Sequence, residues 1–189
     1  MRTDAYRYLQ ESDVRLQHLT LSHYGRPARN LYSRVSLGYL ERMYAGLSTE
    51  LLWRPVDSRI GIGVEVNHVR QRAFDGGLGL RDYDITMGHV SAYVDLGENF
   101  EAQVDTGRYL AGDYGATLRL SRVFGNGWRL GAFATLTDVS FEDFGEGSFD
   151  KGITLEIPLG YIVGSSTREQ GGTVLRPLLR DGGATLNLR

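Results

Sequence analysis

The sequence predicts an all-β protein: an antiparallel up-and-down sheet of the outer-membrane barrel type, closed or partial, with roughly 8–10 strands. Three observations point there. Apolar and polar residues alternate with period two in many successive segments of roughly ten residues. Gly, Asn and Asp separate those segments. The composition holds 25 glycines against 4 prolines, 11 tyrosines, and only 41% hydrophobic residues. Because only every second residue of a membrane strand faces lipid, such a chain is diluted in apolar residues. A length of 189 residues fits a single β domain over residues 1–189.

The elements follow in order. Weak strand signals cover residues 14–22, 31–39 and 44–53. From Ile60 the alternation is clean: Ile60, Ile62, Val64 and Val66 oppose Gly61, Gly63, Glu65 and Asn67. Next, Val90, Ala92, Val94 and Leu96 oppose His89, Ser91, Tyr93 and Asp95. After the short loop Gly97-Glu98-Asn99, Phe100, Ala102 and Val104 oppose Glu101, Gln103 and Asp105. Beyond Ala111-Gly112-Asp113, Tyr114, Ala116, Leu118 and Leu120 oppose Gly115, Thr117, Arg119 and Ser121. Gly125-Asn126-Gly127 turns the chain, and Trp128, Leu130, Ala132, Ala134 and Leu136 oppose Arg129, Gly131, Thr135 and Thr137. Residues 153–163 alternate likewise, with Thr154 and Glu156 on the polar face. Longer loops are expected over residues 71–86 and 138–150.

One set of faces carries Ala, Val, Leu and Ile. Aromatics near strand ends (Trp53, Tyr114, Phe124, Trp128, Tyr161) resemble the girdles at lipid interfaces. The other faces mix Gly, Ser and Thr with charges of both signs at mid-strand, which fits a hydrated or salt-bridged interior. A soluble β-barrel or sandwich binding a ligand is the alternative, and it requires the reverse placement, with the charges turned to water.

Several classes are excluded. A net charge of -2 without a basic cluster gives no nucleic-acid surface. Zero cysteines removes disulfides, thiolate metal sites and cysteine nucleophiles. No run reaches the roughly 20 apolar residues of a transmembrane helix, so any span is made of strands. The amino end, MRTDAYRYLQESDVRLQ, has no apolar signal core. An exported chain of this kind is therefore expected to be a mature piece, an excised domain or a truncated form of a longer polypeptide.

Ordered blocks in the sequence carry a family resemblance. They are Leu52-Trp53-Arg54-Pro55, Asn67-His68-Val69-Arg70-Gln71-Arg72, Phe74-Asp75, Leu80-Arg81-Asp82-Tyr83 and Gly88-His89. GRYLAGDYGAT from Gly107 follows, then FEDFGEGSFDKG from Phe141, Leu175-Arg176-Pro177-Leu178 and Arg180-Asp181-Gly182-Gly183-Ala184. From about Met43 onward the chain resembles the carboxy-terminal part of the YjbH family, outer-membrane lipoproteins associated with exopolysaccharide and group 4 capsule production in Gram-negative bacteria. The resemblance implies a barrel that assists polysaccharide passage or assembly, in the outer membrane of a Gram-negative bacterium, with no catalytic residues and no cofactor. Outer-membrane lipid, the exopolysaccharide and other proteins of the same secretion system are its implied partners. Family chains are several times longer and begin with a signal peptide and a lipidated cysteine, so the anchor does not carry over to this chain. The end Leu186-Asn187-Leu188-Arg189 also departs from the outer-membrane habit of a terminal aromatic.

Chemistry at individual residues reads modestly. His18, His23, His68 and His89 form no close pair with acidic spacing, so no metal site is expected. His89 and Ser91 share a strand face in a manner weakly similar to outer-membrane lipid deacylases; a hydrolase would further need an acid and a base in hydrogen-bond reach. FGEGSFDKG lacks the lysine and hydroxyl of a phosphate loop. Its Glu142, Asp143, Glu146 and Asp150 lack EF-hand spacing, and a loop packed by Phe141, Phe144 and Phe149 is expected instead. Asp181-Gly182-Gly183 reads as a turn before a last strand. Sugar rings stack on aromatics and their hydroxyls pair with carboxylates or Arg, so the interior candidates are Glu65, Tyr93, Glu101, Asp105, Arg119, Arg129 and Glu156.

Overall fold

The computed structural model describes residues 2–10, 16–140, 149–160, 170–176 and 182–186. Among these residues ten strands pair in sequence order, each antiparallel to the next: β1 (Leu19–Ala28), β2 (Leu31–Tyr39), β3 (Tyr44–Trp53), β4 (Ile60–Arg72), β5 (Leu80–Gly97), β6 (Phe100–Arg108), β7 (Tyr114–Val123), β8 (Arg129–Thr137), β9 (Asp150–Pro158) and β10 (Gln170–Leu175). The sheet is open: β1 and β10 are its two edges and do not pair with each other, so the partial form is the one found and not a closed barrel. A 3-10 turn (Arg2–Tyr6) and a helix α1 (Arg7–Gln10) precede the sheet. Among the described residues no helix is long and apolar enough to cross a membrane, which says nothing of strands.

Turn chemistry sets the register. Asn30, Glu98 and Asn99 take positive φ in the two-residue joins after β1 and β5, as tight hairpins that match strand twist require. The joins after β3 and β7 are also brief, and the latter closes with Gly127 donating to the Phe124 carbonyl at 2.8 Å. These four joins lie at one end of the sheet, called here the turn end.

In the middle of the sheet the apolar residues face outward. On β4, Ile60, Ile62, Val64 and Val66 are exposed while Gly61, Gly63 and Asn67 are buried. Val64 is 44% and Leu130 46% exposed, against 6% for Asp105 on the opposite face. Leu37, Leu47, Leu51, Val90, Val104, Leu118, Leu120, Leu136 and Ile153 extend the outer band across β2 to β9.

Toward the other end the pattern inverts within the same strands. On β4, His68 and Arg70 turn outward and Val69 is buried; on β5, Asp84 and Thr86 face out while Ile85 and Met87 are buried. Here Tyr8, Leu40, Met43, Tyr44, Val69, Phe74, Ile85, Met87, Leu110 and Ala184 form one apolar cluster. It is a small conventional core, a collar at the end of an inside-out sheet. Burial pushes the Tyr8 phenol up to about 12.

Arg72 ties the collar together. Its side chain is fully buried and donates to the carbonyls of Leu16 (2.8 Å), Glu41 (3.0 Å), Gly76 (3.2 Å) and Gly77 (3.0 Å). The Tyr39 ring lies 4.7 Å from its guanidinium carbon, and Tyr8 donates to the Arg72 carbonyl at 2.6 Å. The loop carbonyls of Leu16, Glu41 and Gly77 thereby find a donor, and that of Gly76, which also accepts from the Leu16 amide, gains a second, as buried backbone demands.

Inward-facing glycines mark the boundary between band and collar. Gly46 and Gly107 have φ of 154° and 156°, and a Cβ on either would fall well inside contact distance of a carbonyl on the neighbouring strand, at His68 and Gly88. Only glycine allows the strands to approach there. Part of the glycine excess thus serves strand contact.

Three expectations change. The first strand lies at Leu19–Ala28 rather than residues 14–22. The long loop expected over residues 71–86 is mostly strand, with only residues 73–79 between β4 and β5; the inversion of polarity broke the alternation there and hid the extension. Residues 184–186, expected to continue into a last strand after the turn, are not strand. Tyr161, Phe141, Glu142, Asp143, Phe144, Glu146 and Asp181 lie outside the described residues.

Candidate functional site

Register places the polar side chains of β2 to β9 in rows across the inner face. Arg34, Glu50, Glu65 and His89 are successive partners across four strands. Tyr93, Gln103, Arg119 and Phe133 form a second row, and Asp95, Glu101, Ser121 and Gly131 a third. Arg129 and Glu156 face each other on β8 and β9. All seven sequence-derived candidates, Glu65, Tyr93, Glu101, Asp105, Arg119, Arg129 and Glu156, therefore share the inner face.

Charges in these rows are paired. Arg34 reaches Glu50 at 2.9 Å and Glu65 at 3.5 Å. Arg119 pairs with Asp105, and Arg129 pairs with Glu101 and, at 3.5 Å, with Glu156. Asp105 also accepts from Ser91 at 2.6 Å and from Gln103 at 2.7 Å, and Asn67 donates to Glu65 at 2.6 Å. Three arginines and five carboxylates thus make a network of three neighbouring clusters, centred on Arg34, Arg119 and Arg129, in which each of these groups has a partner.

Between this network and the collar lies a belt of buried polar side chains with no net charge: Ser36, Ser48, Asn67, His89, Thr117 and Thr135. Thr117 is 2.8 Å from Thr135 and 2.7 Å from the Tyr109 hydroxyl. Burial raises the pKa of Tyr109, which lies in the join after β6. His89 packs edge-on to Tyr109, with ring centroids 4.6 Å apart, and its buried Nε2 has no hydrogen-bond partner.

Two clefts open on the inner face. One, of about 220 Å³, is lined by Arg54, Tyr93, Arg129, Phe133 and Glu156; the other, of about 210 Å³, by Glu50, Glu65, His89, Ser91 and Thr185. They share Tyr93, Gln103 and Arg119, and so form one trough. Residues 182–186 close it on the collar side: the Leu110 amide donates to the Ala184 carbonyl at 2.9 Å and the Gly183 amide to Asp113 at 2.8 Å. Sequence reasoning missed Arg34, Glu50 and this closing segment, because the first lie in weak strand signals and a backbone plug has no side-chain signature.

The hydrolase arrangement is not formed. Ser91 donates to Asp105 and not to His89, so the imidazole does not meet the hydroxyl as the His–Ser pairing requires. Among the described residues no cluster of His, Asp or Glu would hold a metal. Asp150 is a buried residue of β9, 3.4 Å from Arg176. Of the aromatics proposed as girdles, Trp53, Phe124 and Trp128 are exposed at the turn end and Tyr114 at the collar end.

A family model described as "Exopolysaccharide biosynthesis protein YbjH" (YjbH) matches residues 1–189, extending upstream of the resemblance, which was expected from about Met43. The chain is 35% identical over 191 aligned residues to "Uncharacterized lipoprotein YjbH" of Escherichia coli (strain K12). That alignment covers 98% of this chain and 27% of the relative, so the chain spans about a quarter of the relative's length. No solved structure matches the chain.

Proposed function

The chain belongs to the YjbH family of exopolysaccharide biosynthesis proteins, and from that premise we propose that it acts without catalysis, as a strand-built element of the outer membrane that assists exopolysaccharide production or export. Its apolar outer face meets lipid and its polar inner face meets the polymer. The lipoprotein name of the Escherichia coli relative agrees with a place at a Gram-negative membrane. The observation that carries the reading is the inside-out middle of the sheet, where Val64 and Leu130 are exposed and Asp105 is buried. In water so large an apolar face would be an aggregation surface, whereas lipid makes it the favourable one. A soluble binding barrel would bury Val64, Val94 and Leu130 together and turn Glu65 and Asp105 to bulk water, opposite to the arrangement found.

Spin labels on both faces of β4 and on the outer faces of β5 and β8 test this. After refolding into phospholipid vesicles, labels at Ile62, Val64 and Leu130 should contact lipid, while labels at Arg70 and Asp84 on the collar and at Glu65 on the inner face should contact water. Water contact at all positions, or a folded protein that ignores the vesicles, would overturn the proposal.

A further inference from the structure

Resting on that reading, we propose that the trough is a blind binding site for the end of a neutral glycan chain, taking about two sugar rings in two adjoining subsites, and not a through-passage for polymer. The first support is shape. Each cleft, at 220 and 210 Å³, lies below the ~300 Å³ at which pockets for drug-sized ligands begin, and fits a single ring. They meet at Tyr93, and the second ends against Thr185 and Leu186. Behind these, Ala184 is buried in the collar core.

Glycines build the aromatic floor. Gly63 lies against the Tyr93 ring, where a Cβ would stand 3.3 Å from Cε2, and Gly152 makes room for the Phe133 ring. Tyr93 and Phe133 thus lie over bare backbone within the first cleft. An apolar ring surface beside convergent hydrogen-bonding groups is what a sugar requires, because its C–H face is apolar and its rim is hydroxyl.

Charge selects the class. Arg119 and Arg129 are already held by Asp105, Glu101 and Glu156. An anionic sugar would have to displace those carboxylates, whereas neutral hydroxyls can donate to them and accept from Gln103. The His89 side chain lines the inner subsite and adds an uncharged polar edge there, with no carboxylate for a ligand to displace.

The test uses the full chain in detergent micelles and saccharides of one to six sugars released by mild acid from the producing cell's own exopolysaccharide, with binding read by calorimetry. Affinity should rise from one sugar to two or three and then level off. Tyr93→Ala should weaken binding at least tenfold with an unchanged melting temperature, His89→Phe should weaken binding of the longer fragments only, and Asp57→Asn, exposed in the join after β3 and outside both clefts, should leave it within twofold. Affinity that keeps rising to six sugars, preference for acidic fragments lost in Arg54→Gln, or no binding by any fragment would overturn the proposal. If exopolysaccharide output in cells still depends on the chain while no fragment binds, the family role stands and only the binding site fails. Lipid labels that report water throughout would instead remove the role itself.

Discussion

Replacing Arg72 with methionine keeps an apolar stem in the collar but removes the guanidinium that four loop carbonyls share. Two of those bonds, to Glu41 and Gly76, are buried; those to Leu16 and Gly77 are partly open, so water can replace them. A hydrogen bond to a charged group is worth about 2 kcal/mol, so losing the two buried bonds costs about 4 kcal/mol. Burying the methionine in place of a charge returns about 1 kcal/mol, for a net loss of about 3 kcal/mol. Urea unfolding from phospholipid vesicles measures the global effect, and amide exchange locates it. Exchange should accelerate at residues 41–44 and 73–79 while the central amides of β6 to β8 stay protected. A loss below about 1 kcal/mol, or exchange spread evenly over the sheet, would refute the view that Arg72 organises the collar.

Other perturbations separate the zones. Gly46→Val should block assembly outright, because the added carbon meets the His68 backbone; the absence of a heat-modifiable folded band on a gel checks this. Leu130→Arg should cost about 2–4 kcal/mol in vesicles while Asp84→Arg costs under about 1 kcal/mol, since only the first sits in the apolar band; equal costs would argue against a lipid-facing band. Stability should also fall between pH 10 and 12. Tyr8 is raised to about 12 and Tyr109 is raised too, so the folded state holds their protons longer than the unfolded chain. The contribution is complete below pH 10 and is lost as pH climbs through the folded values. Tyr8→Phe should shrink that loss in an alkaline unfolding titration.

Strand identity from Ile60 to Glu156 was readable in the sequence because one period and one polarity hold over each segment. Ile60 to Val66 faces one side and Gly61 to Asn67 the other, as expected, and the six inner-face charges and Tyr93 follow from that parity alone. The collar was hidden for the same reason. Val69, Ile85 and Met87 are apolar on the face that is polar a few residues nearer the middle of each strand, so alternation continues in geometry while it reverses in chemistry. The edge strand β1 gave little signal because both of its faces are exposed and nothing constrains their polarity. Pairing partners were not legible either. Arg34 finding Glu65, or Arg129 finding Glu101, depends on contacts that skip a strand, and no local pattern encodes a skip.

Those skipping contacts bear on what the inner charges do. Neighbouring strands stand about 4.8 Å apart, so Arg129 on β8 reaches Glu101 on β6 only across the width of β7, and Arg34 on β2 reaches Glu65 on β4 across β3. Such a reach is short on the concave side of a curved sheet and long on a flat one. The residue beneath the first bridge is Ser121, small enough to pass under and placed 3.4 Å from the Arg129 guanidinium. These side chains are partly exposed, so each pair adds at most about 1 kcal/mol. Their larger effect is on form: together they favour the curvature that folds an open sheet into a trough, and they keep its floor hydrated and polar beneath an apolar exterior. The network thus holds open the space in which a glycan would sit and supplies the carboxylates and amide that would meet its hydroxyls.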